Sequence, residues 1–282
     1  RDLALLMTRF IKEAELYQPV RIVEEFSRSI RKELDLSLEG RRIERFRRNF
    51  SDDDRVTAPR VYPQLTTSQV LTMTWVDGIK ISRVKELEEM GLDRRQLAIT
   101  GARATVKQIF VDGFFHADPH PGNLFVTRSG RLCYLDFGIT GQLDATRMAD
   151  LNFLLHGLVS QDAEKIIRGL SALNAVDERV DIASLKREVE EMLEIYYGLP
   201  LKEIKIQELL ESTFEVMRTF RVRIPADLSH LARALMAIEG VGLMLDPEFN
   251  LMSELEPVLS EVLKKRLSFS SILKVSEKNL TG

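Results

Sequence analysis

Ile22, Phe26, Ile30 and Leu34 recur at helical spacing, a stripe that predicts one long helix from about 20 to 48 with its apolar side turned inward and its charged side in water. After the polar loop Ser51-Asp52-Asp53-Asp54, Val56 and Val61 and then Val70-Leu71-Thr72-Met73-Thr74 read as short β-rich stretches. A helix over 82–90 stops at Gly91. Another over 93–112 carries Leu97, Ala102, Val106, Ile109 and Phe110 on its inner side and stops at Gly113. Leu124-Phe125-Val126, a turn at Arg128-Ser129-Gly130 and Leu132-Cys133-Tyr134-Leu135 predict a β-hairpin. Beyond Gly141 the helical period continues to the end, interrupted near Gly198-Leu199-Pro200 and Ile224-Pro225, with no internal repeat. Its final stripe, Leu255, Val258, Leu259, Val262, Leu263 and Leu267, suits a helix that caps the core or one that lies on a membrane. Together these elements predict a mainly α chain with a small β component, an α+β fold.

The chemistry concentrates around the hairpin. His116-Ala117-Asp118-Pro119-His120-Pro121-Gly122-Asn123 precedes it and Asp136-Phe137-Gly138 follows it, so Asn123 and Asp136 stand at its two ends and Asp118 lies eighteen positions before Asp136. Phosphoryl transfer asks a protein mainly for positioning and charge neutralisation. In that scheme Asp118 orients or deprotonates an acceptor, while Asn123 and Asp136 are hard oxygen ligands for Mg²⁺ and Gly138 allows a tight turn behind the acid. His116 reads as a buttress of the loop. Loop residues without chemistry are the alternative, but that account leaves the spacing and the hairpin unexplained. On the predicted helix Asp35 and Glu39 are four apart, where like charges repel by roughly a few tenths of a kcal/mol unless a lysine or metal meets one of them. A solvated acidic face is the other reading of that pair. Gly40 permits a close approach or marks a kink. Arg41, Arg42, Arg45, Arg47 and Arg48 form a basic run, read as a solvated face, with anionic lipid headgroups or a partner protein as the alternative. Met73, Thr74, Trp75 and Val76 are expected to line a nucleotide-base pocket, with Trp75 as a core anchor in preference to a pocket wall.

The loop letters resemble the UbiB (AarF/ADCK) family of atypical kinase-like proteins, which carries alanine at the position of Ala117 where ordinary kinases carry arginine. Lys32-Glu33-Leu34-Asp35-Leu36-Ser37-Leu38-Glu39 is similar to the family's Glu-x-Asp motif followed by the regulatory-helix glutamate. Val70 to Gly78 is similar to its inter-lobe strand and linker, and Ile224 to Asn250 to its late helical region. The resemblance implies a protein-kinase-like fold divided into an incomplete small lobe (1–77) and a helical large lobe (78–282). It implies Glu33 and Asp35 as the family-specific pair, Glu39 as the partner of a phosphate-binding lysine, and ATP and Mg²⁺ as cofactors. It also implies support of isoprenoid-quinone (ubiquinone, coenzyme Q) biosynthesis at a membrane, with a lipid or quinone-precursor ligand and quinone-biosynthesis proteins as partners. The family's strand lysine, alanine-rich loop and Lys-x-Gly-Gln segment have no counterpart in this sequence, which opens with Arg1 and reads as a fragment cut within the small lobe. Losing one lysine–phosphate hydrogen bond costs roughly 1.5–3 kcal/mol, so the fragment alone is expected to be impaired in turnover.

Composition narrows the classes further. With 282 residues, 44% hydrophobic and 29% charged, the chain is long enough to bury a large core. A net charge of −3 gives no general argument for nucleic acid. The single cysteine, Cys133, excludes an intrachain disulfide and fits a reducing, cytoplasmic compartment, and its hairpin position predicts a buried thiol. No apolar run is read as approaching the roughly 20 residues of a membrane helix, so the expected membrane association is peripheral. The functional expectation is an ATP-dependent phosphotransferase or ATPase. A nucleotide-binding regulatory module with conformational output, and a metal-dependent hydrolase using His116, Asp118 and His120, are the alternatives; Asn123 has no place in the last.

Overall fold

The computed structural model describes residues 35–255 and 257, apart from 174, 177–179, 198, 200–202, 223 and 224. Glu33 and the stripe from Ile22 to Leu34 lie outside the described residues. Helix α1 (Leu36–Asn49) begins where Asp35 takes an extended backbone, φ −84° and ψ 92°, and its carboxylate accepts the Ser37 N–H at 3.0 Å. Asp35 is therefore a cap and not a mid-helix residue, which corrects the expectation of one helix running through it. Glu39 sits in the first turn and Arg47 and Arg48 in the last, each charge at the helix end that favours it. The repulsion expected of an i, i+4 acidic pair is thereby replaced by two acids sharing the positive end of α1.

Gly40, Ile43 and Phe46 form the buried stripe of α1. A Cβ on Gly40 would lie 3.3 Å from both Leu71 and Val61, so the glycine serves close approach to the 60–74 segment. In that segment the β-rich expectation is met only by a bridge between Val61 and Met73.

Two small sheets follow from the strands β1 (Val56–Thr57), β2 (Gly78–Lys80), β3 (Phe114–His116), β4 (Leu124–Thr127), β5 (Leu132–Tyr134) and β6 (Thr140–Gln142). The larger has the order β1-β5-β4-β2, with β1 parallel to β5 and the other pairs antiparallel; the smaller is β3 against β6. This pairing sets the site. The loop 117–123 leaves β3 and enters β4, the loop 135–139 leaves β5 and enters β6, and both partner pairs are hydrogen-bonded, so the two loops emerge side by side. Close packing fixes β3 on β6: a Cβ at Gly141 would fall 2.0 Å from the Phe115 ring, which is itself fully buried. Cys133 is buried in the hairpin as expected, and burial pushes its thiol pKa up to about 12.

The helical body comprises α2 (Val84–Glu89), α3 (Arg94–Phe110), α4 (Ala145–Val159), α5 (Ala163–Ala172), α6 (Ile182–Tyr196), α7 (Ile206–Thr219) and α8 (Ala226–Leu245). Gly91 (φ 71°) and Gly113 (φ 59°) follow α2 and α3 in the left-handed conformation that ends helices. Helix α3 is buried along most of its length and packs on α8, where Gly101 meets Ile238. One core cluster runs from Ile43 to Leu255 and draws on residues before and after position 77; a second gathers α5, α6 and α7.

Contrary to the expectation of no apolar run near 20 residues, α8 is 20 residues long with a mean hydropathy of 1.3, enough by length and composition to cross a membrane. Half of that window is buried in the protein, and α8 also buries Glu239, whose two carboxylate oxygens accept the Ile206 and Gln207 N–H groups at 3.0 Å each. Lys205, at the cap position of α7, makes no side-chain cap, so Glu239 supplies it from 33 residues away. These features are those of a core helix.

Candidate active site

His116 is the centre around which the acids gather. It is 2% exposed; its ring Nε2 lies 3.0 Å from the Leu135 carbonyl, and its Nδ1 accepts the Asp118 N–H at 3.2 Å. The two contacts require the neutral tautomer with the proton on Nε2. Burial holds its pKa below the ordinary histidine value, against the opposing pull of the nearby Asp136 and Asp118 carboxylates. One buried imidazole thus ties the Asp118 loop to the residue before Asp136, as the buttress reading anticipates.

Asn123 is bound into the same arrangement. Its Nδ2 donates to the Asp118 carbonyl at 3.4 Å and its own carbonyl accepts the Leu135 N–H at 2.8 Å. Among the described residues no donor takes Asn123 Oδ1, which leaves that oxygen for an outside partner. Asp136 is exposed, while Asp118, Asn123 and Glu39 are half-buried. Asp136 itself, and not Gly138, carries the unusual backbone, at φ 51°. The expected tight turn is therefore made two residues earlier than the glycine suggests, and Gly138 N–H donates to Asp136 Oδ1 at 3.1 Å.

Helix α1 closes the turn from the other side. Glu39 Oε1 accepts the Phe137 N–H at 3.0 Å, and Arg42 Nη1 donates to the carbonyls of Phe137 at 3.2 Å and Gly138 at 2.7 Å. Partial burial raises the Glu39 pKa above its ordinary value; the Phe137 N–H pulls it down, Asp136 pushes it up, and Arg42 pulls it down. Beneath, the rings of Phe46, Phe137 and His116 meet edge to face in sequence, with centroids 5.0 Å apart at each step. Arg42 is the functional contact that the sequence reading missed. Its signal was the i, i+3 spacing from Glu39, which places both on one helical face. Arg45 likewise reaches Gln142 at 3.1 Å and covers the Phe114 ring at 4.3 Å, so these two residues correct the solvated-face reading of the basic run.

A cavity of about 490 Å³ adjoins the turn, lined by Met73, Thr74, Trp75 and Val76 together with Leu71, Phe125 and Leu135. Leu135 directly precedes Asp136, and Phe125 follows Asn123 by two residues, so the cavity and the acids share the hairpin. Trp75 is 92% exposed, which overturns the core-anchor expectation: it lines the cavity from the solvent-facing side. The remaining expected site residue, Asp35, spends its carboxylate on Ser37, whose hydroxyl holds its pKa below the usual range.

The donor set fits a magnesium–nucleotide complex. Asn123 Oδ1 and the Asp136 carboxylate are hard oxygens, few enough to leave room for water and phosphate around the small ion. Both ring nitrogens of His116 are engaged by backbone groups, which removes it from the ligand set of the hydrolase alternative.

Comparison with known proteins accords with this architecture. Residues 1–170 match the ABC1 atypical kinase-like domain and residues 189–250 the UbiB helical domain. An uncharacterized Synechocystis protein is 38% identical over 250 residues, covering 88% of this chain and 43% of its own length. The probable protein kinase UbiB of Xylella fastidiosa is 32% identical over 286 residues, covering 99% of this chain and 52% of its own. The chain thus spans about half the length of these relatives. The structure of Rv3197 from Mycobacterium tuberculosis, solved with erythromycin, superposes with a TM-score of 0.57 over 86% of this chain and 63% of that one, at 18% identity, a likeness of fold. Loop spacing, paired sheets, helical body and family models agree, and the chain belongs to the ABC1/UbiB family of atypical kinase-like proteins.

Proposed function

We propose that this chain carries the catalytic core of an ATP-dependent phosphotransferase or ATPase that serves isoprenoid-quinone metabolism, its full-length form working at a membrane surface. The observation that carries the reading is the junction at His116 and Leu135, which joins the Asp118 loop, Asn123 and Asp136 beside a cavity of about 490 Å³. Bound Mg²⁺ would supply neutralisation of phosphate charge. Asn123 Oδ1 and Asp136 would hold it, Asp118 would orient the attacking hydroxyl or water and accept its proton, and Met73, Thr74, Trp75 and Val76 would enclose the base. Glu39 would receive the phosphate-binding lysine while keeping the Phe137 N–H, and Glu33 and Asp35 would serve as the family-specific pair. The division into small and large lobes at residue 77 belongs to the same reading. The quinone assignment rests on the relationship to UbiB, and lipid or quinone-precursor ligands follow from it.

A regulatory nucleotide-binding module is the second reading. Its support is that Glu39 Oε1 accepts the Phe137 N–H, a contact by which the helix braces the turn.

Mg²⁺-dependent ATP binding and hydrolysis by the full-length protein, compared with Asp118→Asn and Asp136→Asn, decide between the readings. Asp118→Asn is expected to bind ATP and lose turnover by roughly 100-fold or more, the scale of general-base catalysis. Asp136→Asn is expected to lose Mg²⁺-dependent binding. Hydrolysis retained in both variants removes the enzyme, and binding without hydrolysis in the wild type selects the module.

A further inference from the structure

The backbone of the Asp136 turn is satisfied almost wholly by side chains. The Phe137 N–H goes to Glu39 and the Gly138 N–H to Asp136, while both carbonyls, Phe137 at 3.2 Å and Gly138 at 2.7 Å, are taken by the single Nη1 of Arg42. Arg42 lies three residues after Glu39, so α1 presents one acceptor and one donor to consecutive peptide units. The helix that carries them is pinned at its far end: Lys107 Nζ donates to the Asn49 carbonyl at 2.7 Å and to Asp112 at 2.8 Å, and sits 4.4 Å over the Phe50 ring. Midway, Arg45 holds Gln142 on the strand leaving the turn. A fixed helix whose rigid planar cation bridges two carbonyls through one nitrogen is suited to holding a strained turn in one shape.

We propose that Arg42 is a positioning residue for the metal-binding turn: by gripping the Phe137 and Gly138 carbonyls it keeps the Asp136 backbone left-handed and its carboxylate presented to a magnesium–nucleotide complex. The proposal rests on the reading of Asp136 as a metal ligand and adds a residue outside the loop motifs. Arg42 touches neither metal nor nucleotide; it acts through two peptide groups. Its removal frees both carbonyls to rotate, and the acid then reaches the ion only from a fraction of the turn's conformations.

The test is calorimetric titration of ATP into full-length protein at stepped Mg²⁺ concentrations, with Mn²⁺ binding followed by loss of the free-ion paramagnetic signal. Arg42→Met is expected to raise the Mg²⁺ concentration for half-maximal ATP binding about ten-fold, the worth of one charge-assisted hydrogen bond, and to weaken Mn²⁺ binding in parallel. Arg42→Lys, which keeps the charge and N–H donors on a compact ammonium without the fixed planar geometry of the guanidinium, is expected about three-fold above the wild type. In the Asp136→Asn background, where Mg²⁺ no longer strengthens ATP binding, Arg42→Met should leave the residual metal-free ATP affinity unchanged, whereas a merely structural role would lower it there too. An unchanged metal requirement in folded Arg42→Met overturns the proposal. If that variant fails to fold, Arg42→Lys decides, and equality with the wild type overturns it. A wild type that binds no Mg²⁺-ATP defeats the underlying reading of the site as well, so the two failures are separable.

Discussion

Asp136 holds φ at 51°, a setting that costs a residue with a Cβ about 1 kcal/mol and that aspartate and asparagine tolerate best. Asp136→Asn therefore keeps the turn, and its lost nucleotide binding reports on charge. Glu39 supplies a pH prediction. Its raised pKa means that, above the ordinary value of 4.5, the folded protein binds the proton more readily than the unfolded chain, so stability rises as pH falls through that window and the ionised group is a cost at neutrality. Glu39→Gln keeps an oxygen for the Phe137 N–H and removes that cost. Its melting midpoint at pH 7 should equal or exceed the wild type's, with a flatter pH dependence from pH 4.5 upward, while full-length ATP turnover falls at least about ten-fold. A lower midpoint at pH 7 would contradict the assignment of burial as the dominant cause. Loop spacing made Asp118, Asn123 and Asp136 legible in sequence, because a hairpin between two polar loops is a local pattern. Which residue of the turn would take the left-handed backbone was not legible, since Glu39 and Arg42, almost a hundred positions away, share in deciding it.

At the scale of elements, α3 and the hairpin could be read from periodicity because tertiary contacts reinforce what their own residues prefer. Helix α1 could not be bounded that way: the stripe of Ile22, Phe26, Ile30 and Leu34 runs on into it, and only the Asp35 cap stops the helix short. The exposed Trp75 was misread for a related reason, since an aromatic among apolar neighbours looks alike in sequence whether it faces a core or a cavity. Glu239 is the clearest case of a non-local element contact. An acid in an apolar helix gives no hint of its partner, yet it caps α7 with two hydrogen bonds and is 4% exposed. Glu239→Ala leaves both N–H groups unpaired and should lower unfolding free energy by about 2–3 kcal/mol, measured by chemical denaturation, with faster hydrogen exchange at Ile206 and Gln207. Unchanged exchange at those amides would mean that α7 caps itself by other means.

The whole molecule poses the question of whether its two family regions are two folding units. The UbiB helical region contributes α8, and α8 contributes Leu231, Leu235, Ile238, Val241 and Leu245 to the same core that holds α3 and both sheets. Five large aliphatic side chains at about 1.5–3 kcal/mol each come to the order of 10 kcal/mol. A domain's entire net stability is about 5–15 kcal/mol, so the ABC1 region is not expected to survive without α8. Gly101 makes the dependence specific: its bare Cα lets Ile238 approach, and no side chain of α3 fills that place when α8 is gone. A chain cut after residue 188 is therefore expected to lose its cooperative thermal transition and to bind hydrophobic dye, whereas the intact chain should melt its two regions together. A sharp melt in the shortened chain would show that the ABC1 region carries a sufficient core by itself, and that α8 is a lid on the kinase-like body and not part of its interior.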